Sequence, residues 1–249
     1  MKQNKLIFGL HSLLEALEAG REIDKIFIKR GLKTEETQRI TSIARERTIP
    51  VQVVPVEKLD RMTQRNHQGV LAFLAEIEYT SLDALIPMIY EEGRAPFFVL
   101  LDGITDVRNF GAIARSAECA GVDAIIIPER GSVSVTGDAV KTSAGALHRL
   151  PVCRVSSIPS AVRLLKDSGI KVVTASEKAS TLYTQEPLTP PIAIVMGSEE
   201  HGASDETVRL SDSLVRIPQV GAIGSLNVSV AAGIIIYEAL RQESTTHEG

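Results

Sequence analysis

The chain has 249 residues, enough for one large hydrophobic core or two modest ones, and its 44% apolar and 23% charged content is that of an ordinary globular protein. Aromatic residues make up 4% of the chain and Trp is absent, so a platform that stacks single-stranded bases is not expected. The net charge of −4 is unevenly divided: residues 1–79 carry +2 and residues 80–249 carry −6, so cations are relatively enriched in the first third.

No signal peptide or membrane span is expected. The apolar stretch from Leu6 to Leu17 is interrupted by polar residues, and no apolar run reaches the length that crosses a bilayer. Cys119 and Cys153 are far apart and form no metal-binding pair. These features predict a cytoplasmic protein with two free thiols and no metal.

Residues 1–77 are predicted to form a small α/β domain. A helix is expected around Leu10–Leu17, whose leucines follow helical spacing, and a polar helix from Thr34 to Arg47 with Thr34 as its N-cap. Short apolar runs predict strands at 26–28, 51–54 and 70–75. An ordinary solvated surface explains any single basic residue here, but as a group they are candidate phosphate contacts. They are Lys25, Lys29, Arg30, Lys33, Arg61 and Arg65.

Residues 78–96 are predicted to be a linker, because the segment ends in a polar stretch that contains Gly93 and Pro96. After it, apolar strands alternate with helices, and continuous apolar runs such as Ile125–Ile127 indicate strands buried on both faces. Residues 97–249 are therefore predicted to form a parallel sheet that binds ligands at the carboxyl ends of its strands. Strands are predicted at 97–101, 124–127, 152–155, 171–175, 192–196 and 214–217, and helices near 110–120, 138–147, 159–168, 204–211 and after Ser225.

The nucleotide-binding motifs that such sheets often carry are absent. No G-x-G-x-x-G follows the first strand of the large domain, and the stretch from Gly197 to Gly202 lacks the Lys and Ser/Thr of a phosphate loop. A G-x-S-x-G elbow is also missing. Dehydrogenases, P-loop kinases and α/β-hydrolases are thereby disfavoured.

Polar blocks follow three of the predicted strands. The first contains Asn109, a candidate helix cap, and Arg115, which at 100° per residue lies about 240° further around a helix. These two side chains would converge only if Asn109 lay in the loop. In the second block a buried strand ends at Gly197, where a ligand could approach the backbone. Glu199 follows, and complementing a helix dipole would explain it equally well.

The third block, 216–229, is a Gly- and Pro-containing loop that leads into the last helix. Ser225 is a candidate cap for that helix, which is predicted to begin near Leu226, and Asn227 lies in its first turn. The helix continues to Leu240 and is apolar nearly all round. Burial on most sides is therefore predicted, either within the chain or against a second subunit.

The three blocks read N-x-G-x-x-x-R-x-A, G-x-E-x-x-G and I-P-x-x-G-x-x-x-S-L-N-V-S. In this order, over about residues 97–241, they resemble the SpoU (TrmH-like) branch of the SPOUT RNA methyltransferases. Phe8-Gly9-Leu10-His11 and His67-Gln68-Gly69-Val70 resemble that family's substrate-binding domain, an L30e-like α/β module. The resemblance implies a C-terminal SPOUT domain with a deep trefoil knot, and a homodimer formed through that domain. Length and domain order are closest to the family's bacterial 23S ribosomal-RNA guanosine 2′-O-methyltransferases.

The resemblance also implies how the methyl donor and the RNA are held. S-adenosylmethionine would be bound mainly by backbone, and no metal would take part. The implied donor-binding residues are Gly197, Ile217, Leu226, Ala175 and Ser225. The implied catalytic residues are Arg115, Asn109, Glu199, Asn227 and Ser225.

Because an arginine is effectively always protonated, we expect Arg115 to hold the phosphate beside the target ribose and to stabilise developing negative charge. Asn109, Glu199 and Asn227 would orient Arg115 and the ribose. Two alternatives stay open. One is a relative that methylates transfer RNA or another ribosomal site; the other is a non-catalytic RNA-binding protein of the same fold.

Overall fold

Two separate β-sheets organise the chain in the computed structural model, which describes residues 6–135, 137–222 and 224–247. The chain divides into Met1–Glu78 with Ser134–Thr136, here the N-terminal unit, and Tyr79–Val133 with Gly137–Gly249, here the C-terminal unit. The predicted α/β class, with a small N-terminal domain ahead of a parallel sheet, is confirmed.

The N-terminal unit is a four-stranded mixed sheet in the order β1-β4-β2-β3. Helix α2 starts as predicted: the Thr34 hydroxyl accepts the Thr37 N–H at 3.2 Å, and the Thr37 hydroxyl accepts the Thr34 N–H at 2.9 Å. Apolar side chains of α1 and α2 form one core against the sheet, and Leu59 of α3 belongs to a second cluster. The elements are β1 (Leu6–Phe8), α1 (Leu10–Glu18), β2 (Ile23–Lys29), α2 (Glu35–Glu46), β3 (Val51–Val54), α3 (Val56–Met62) and β4 (Val70–Leu74).

The C-terminal unit is an eight-stranded parallel sheet in the order β10-β12-β9-β11-β6-β7-β8-β5. Its central strands are buried on both faces, as their continuous apolar sequence predicts. The strands are β5 (Tyr79–Thr80), β6 (Phe97–Asp102), β7 (Ala124–Pro128), β8 (Val152–Val155), β9 (Lys171–Ala175), β10 (Thr181–Leu182), β11 (Ile192–Gly197) and β12 (Ser213–Arg216). The helices are α4 (Leu82–Glu91), α5 (Val107–Cys119), α6 (Gly137–Thr142), a 3-10 turn (Ala146–His148), α7 (Ile158–Asp167), α8 (Asp205–Leu210) and α9 (Val228–His247).

The order of the central strands brings the predicted blocks to one edge of the sheet. Strand β11 lies between β6 and β9, and Gly197 at its end is paired in register with Asp102 at the end of β6. Strand β12 is the next neighbour of β9. Since all of these strands are parallel, the segments that follow β6, β11 and β12 leave the sheet on the same side.

The segment 78–96 differs from the predicted linker, because it contains β5 and α4. Leu82, Leu85, Ile86 and Ile89 follow helical spacing and are buried in the core of the C-terminal unit. The polar Glu91–Pro96 stretch is typical of a linker, but the apolar face ahead of it has to be buried, and the sheet buries it.

Two further observations concern the predicted free thiols and the predicted lack of a membrane span. Cys119 is exposed and Cys153 buried, both are free thiols, and burial raises the pKa of the Cys153 thiol to about 12. Within the part of the chain that the structure describes, none of the helices is both long and apolar enough to cross a bilayer.

Truncating α4 on its buried side tests its place in the core. Ile89 is fully buried, whereas the neighbouring Met88 is 47% exposed. We expect Ile89→Ala to lower the free energy of unfolding by about 2–5 kcal/mol. Met88→Ala should change it by no more than about 0.5 kcal/mol. Urea denaturation followed by circular dichroism measures both, and equal small effects would show that α4 is only a connecting segment.

Candidate functional site

The loops that follow β6 and β11 are tied together by Asp102. Its Oδ2 accepts hydrogen bonds from the Ser204 N–H and the Thr207 hydroxyl, both at 2.9 Å. Ser204 caps α8, so the start of that helix is fixed beside the end of β6. Asp102 ends the first strand of the predicted sheet, but its sequence position alone gave it no role.

Helix α5 begins earlier than predicted, and Asp106 caps it. The Asp106 Oδ1 accepts the N–H groups of Arg108 and Asn109, both at 2.8 Å. The prediction that Asn109 caps this helix from the loop is therefore wrong: Asn109 lies in the first turn. Its side chain is not used as a cap and reaches across to the loop that follows β11.

That reach ends at Glu199, where the polar side chains of all three blocks meet. The Glu199 Oε1 accepts from the Asn227 side-chain amide at 2.8 Å, from that of Asn109 at 3.2 Å and from the Val228 N–H at 3.2 Å. The Asn227 amide also donates to the Asn109 Oδ1 at 2.9 Å. We call Asn109, Glu199 and Asn227 the Glu199 cluster.

The last helix begins at Val228, and Asn227 is its cap. The Asn227 Oδ1 accepts the Ser229 N–H at 3.0 Å, and the backbone carbonyl of Asn227 accepts from Val230 and Ala231. The prediction that Ser225 caps a helix beginning near Leu226 is therefore wrong, and Ser225 is exposed in the preceding loop. The Glu199 carboxylate lies at the start of α9, so it complements the helix dipole as well as joining the loops.

Arg115 lies away from the Glu199 cluster. It is on α5, six residues beyond Asn109 and so about 240° around the helix, and its side chain is exposed. No hydrogen bond or ion pair links it to the rest of the described chain. The expectation that Asn109, Glu199 and Asn227 orient Arg115 is therefore not met within one copy of the chain.

A cavity of about 350 Å³ lies beside the cluster, with Glu199 in its wall. Its lining comes from the ends of β9, β11 and β12, from the turn after β11 and from the start of α9. The structure places all five expected donor-binding residues on this lining: Ala175, Gly197, Ile217, Ser225 and Leu226. Apolar side chains cover part of the wall, and carboxylates and two cations, Lys178 and Arg216, cover the rest.

Gly197 is required by the fold of its own loop. A Cβ on Gly197 would lie 2.0 Å from the Ala203 nitrogen and 2.0 Å from the Gly202 carbonyl carbon. That backbone approaches because Ser198 and Gly202 exchange hydrogen bonds of 3.0 and 2.9 Å, which closes a tight turn. The sequence suggested that this glycine admits a ligand, whereas here it admits the chain's own backbone. The turn holds Glu199 above the end of β11.

In the described ranges, no three His, Cys, Asp or Glu side chains are grouped as they would be to hold a metal ion.

The two motifs of the N-terminal unit meet at one end of its sheet. Gly9 donates to the Val70 carbonyl at 3.3 Å, and Leu10 donates to the Gln68 Oε1 at 3.1 Å. The Arg65 guanidinium lies over the Phe8 ring, 5.2 Å from its centre. The adjoining Lys29 donates its N–H to the Gly69 carbonyl at 2.8 Å.

Exposed cations are concentrated around this end. They are Lys29, Arg30, Lys33, Arg61 and Arg65, here the cationic end. Among the described residues no carboxylate lies within 4 Å of any of them, whereas Arg39 and Arg47 elsewhere in the unit pair with Glu18 and Glu22. Unpaired, exposed cations of this kind are what a phosphate backbone requires.

Comparison with known proteins finds a family for each part of the chain. Residues 96–237 match the SpoU rRNA methylase family, and residues 6–80 match the RNA 2′-O ribose methyltransferase substrate-binding family. A Staphylococcus saprophyticus protein assigned by name to the TrmH family of tRNA/rRNA methyltransferases is 37% identical over 96% of this chain and 96% of its own length. A Staphylococcus haemolyticus protein of the same name is 38% identical over 95% of each chain.

Solved structures of similar proteins cover between two thirds and nearly all of the chain. The SpoU methyltransferase AviRb from Streptomyces viridochromogenes has a TM-score of 0.61 at 26% identity, covering 97% of this chain and 90% of its own. An AdoMet-bound rRNA methyltransferase from Sinorhizobium meliloti has a TM-score of 0.60 at 26% identity, covering 95% and 86%. The TrmH/SpoU tRNA modifying enzyme of A. aeolicus covers 67% of this chain and 86% of its own, with a TM-score of 0.57 at 27% identity.

Two glycine substitutions separate the steric role of Gly197 from a general effect of adding a methyl group. We expect Gly197→Ala to lower the free energy of unfolding by about 3 kcal/mol, because the new Cβ would overlap backbone that has no room to move. Gly233→Ala is the control: it lies inside α9, where the added Cβ finds only an ordinary contact of 3.8 Å. It should raise that free energy by about 0.5–1 kcal/mol. Thermal denaturation checks both signs, and a stable Gly197→Ala variant would contradict the geometry.

Proposed function

The chain belongs to the SpoU rRNA methylase family, and from that premise we propose that it methylates the ribose 2′-oxygen of a guanosine in 23S ribosomal RNA. It is an RNA methyltransferase, and S-adenosylmethionine is its methyl donor. The observation that carries the finer proposal is the meeting of Asn109, Glu199 and Asn227 beside a cavity lined by all five expected donor-binding residues.

The cavity suits a cationic donor with an apolar part. Met196, Leu214 and Ile235 offer apolar surface, and Glu177 and Glu200 add negative charge to the lining. We propose that Gly197, Ile217 and Leu226 bind the donor mainly through backbone groups, with Ala175 and Ser225 beside them. When bound, S-adenosylmethionine supplies a methyl group on a positively charged sulfur.

We propose that the Glu199 cluster positions the ribose hydroxyl. The Glu199 Oε1 already accepts three hydrogen bonds, while its Oε2 makes none to the described part of the chain. The Oε2 is therefore the available acceptor for a hydroxyl proton, and a ribose hydroxyl held there has its oxygen directed by the cluster. Both hydrogens of the Asn227 amide are used within the cluster, so Asn227 fixes Glu199 and Asn109 in place.

Arg115 completes the site only if a second copy of the chain supplies it. Helix α9, whose Gly233 lies near Ser116 of α5, carries an exposed apolar stripe: Val230 is 51% exposed and Tyr237 48%, with the half-buried Ile234 between them. These residues are spaced four and three apart and so share one helix face. We propose a homodimer through the C-terminal unit that covers this stripe and brings Arg115 of one copy to the Glu199 cluster of the other. There the guanidinium would hold the phosphate beside the target ribose and stabilise negative charge on the oxygen.

Ribosomal RNA is the substrate that the domain organisation favours. The N-terminal unit matches the substrate-binding family, and its cationic end offers five unpaired charges to a folded RNA backbone. The AdoMet-bound rRNA methyltransferase covers 95% of this chain, whereas the tRNA modifying enzyme covers 67%. The two-domain chain is thus matched over more of its length by the rRNA methyltransferase than by the tRNA modifying enzyme. We also propose that the protein acts in the cytoplasm, where its RNA is made.

Locating the methyl group tests the substrate. Calorimetry should show that the purified protein binds S-adenosylmethionine. The protein is then incubated with the donor and with ribosomal RNA from a strain that lacks the gene. This reaction should add a 2′-O-methyl group to one guanosine of the 23S molecule. Mass spectrometry of nuclease fragments detects the added methyl group. Transfer RNA from the same strain is the control substrate. Methylation of transfer RNA alone, or of a base, would contradict the proposal.

Mixing variants tests whether the site is shared between two copies. Arg115→Ala should lower kcat by about 10²–10³-fold and leave donor affinity unchanged, because a charge-stabilising contact is lost. Glu199→Ala should also be inactive. If the two residues act across the interface, a mixture of both variants regains part of the activity, because a mixed dimer holds one intact site.

The same mixture made with Tyr237→Glu in both chains is the control, since a buried charge on the α9 stripe should prevent dimerisation. No recovery in a mixture shown by light scattering to contain mixed dimers would contradict the shared site. Full activity of Arg115→Lys would show that a point charge suffices in place of the guanidinium.

A further inference from the structure

Helix α5 presents two guanidinium groups on one exposed strip. Arg108 and Arg115 are both exposed and are seven residues apart. Seven residues fall about 20° short of two full turns, so the side chains leave the same side of the helix, about 10 Å apart along its axis. Ala112 lies between them on this strip, whereas Asn109 is about 100° further around the helix than Arg108 and reaches toward Glu199.

Neither guanidinium has a carboxylate partner among the described residues. The C-terminal unit has an excess of acids, and many of its cations are paired; Arg94, Arg163, Lys166, Lys171 and Arg241 all have carboxylate partners. Over the residues that the structure covers, no carboxylate comes within 4 Å of Arg108 or Arg115. The surface around these two arginines is therefore locally positive, although the C-terminal unit as a whole is acidic.

Arg108 also has no role in stabilising its helix. It lies in the first turn of α5, where the aligned peptide dipoles leave partial positive charge and a cation is unfavourable. The Asp106 Oδ1 already accepts the N–H groups of Arg108 and Asn109, and the Arg108 side chain takes no part in these bonds. An exposed cation at this helix position, with no carboxylate within 4 Å in the described chain, is available to an external anion.

We propose that Arg108 binds a second phosphate of the RNA segment whose target phosphate is held by Arg115, and so sets the path of the strand across the site. This proposal rests on the proposed function. Each guanidinium can hold one phosphate with two parallel hydrogen bonds, and such contacts fix register without reading sequence. Arg108 is then a positioning residue for the substrate, distinct from the Glu199 cluster that meets the ribose.

Kinetics of Arg108 variants test this assignment, with Arg209→Ala as the matched control. Arg209 is an exposed arginine of α8 that has no ion pair in the described chain, so its removal takes the same charge from the same unit. We expect Arg108→Ala to raise the KM for ribosomal RNA about tenfold or more, with kcat and the donor Kd unchanged. The slope of log KM against log salt concentration should fall by about one. Arg108→Lys should recover the salt slope and part of the KM, and Arg209→Ala should change neither.

A structural role for Arg108 would be visible in other measurements. Because the substitution removes an unfavourable charge, the Tm of Arg108→Ala should stay equal or rise. A lower Tm, or a changed dimer in light scattering, would overturn the assignment, as would an unchanged KM and salt slope. Failure of the proposed function is distinguishable, since it would appear in the unmodified protein as the absence of methyl transfer to ribosomal RNA.

Discussion

One carboxylate oxygen, Oε1 of Glu199, connects the loops on which the site depends. It accepts hydrogen bonds from the first turn of α5 and from the start of α9, while the turn closed by Ser198 and Gly202 holds it above β11. The three segments are far apart in sequence, and the parallel sheet brings only their strand ends together. The hydrogen bonds at Glu199 then fix side chains, so the groups that we propose to contact the ribose are already arranged in the chain without RNA. Such prior arrangement lowers the reorganisation needed during the reaction.

The site separates into parts that meet different portions of the reactants. The cavity beside β9, β11 and β12 is formed within one chain, and so is the Glu199 cluster at its wall. Arg108 and Arg115 lie on a different side of α5 from Asn109, so the contacts that we propose for the RNA backbone lie on a different face of this helix from the Glu199 cluster. In the proposed arrangement, one chain binds its donor alone, and a second copy and the RNA complete the catalytic contacts.

Much of the fold follows from the sequence, because strands buried on both faces have continuous apolar runs. The β8 and β9 bounds agree with the predicted ones, and β12 differs by one residue. The helix caps could not be predicted in the same way. Asp106 and Asn109 are both residue types that cap helices well, and the backbone of the loop selects between them. The same applies to Ser225 and Asn227. In the segment 78–96, the polar stretch at its end indicated a linker, although the apolar residues before it follow the helical spacing of α4. The close backbone at Gly197 depends on a turn that no local sequence pattern reveals. The separation of Asn109 and Arg115 did follow from helix geometry, because six residues turn a helix by about 240°.

The strand order also determines when the catalytic unit can form during synthesis. Strands β6, β7 and β8 are made in sequence and pair directly with one another, but the other edge of β6 pairs with β11, Phe97 beside Ile192. Until β11 leaves the ribosome, β6 therefore presents an apolar edge whose N–H and C=O groups are unpaired. Such an edge is a template for pairing with another nascent chain. The strand at the centre of the finished sheet is thus an edge strand while the chain is being made. Mispairing between nascent chains is therefore most expected when many ribosomes translate the same messenger RNA.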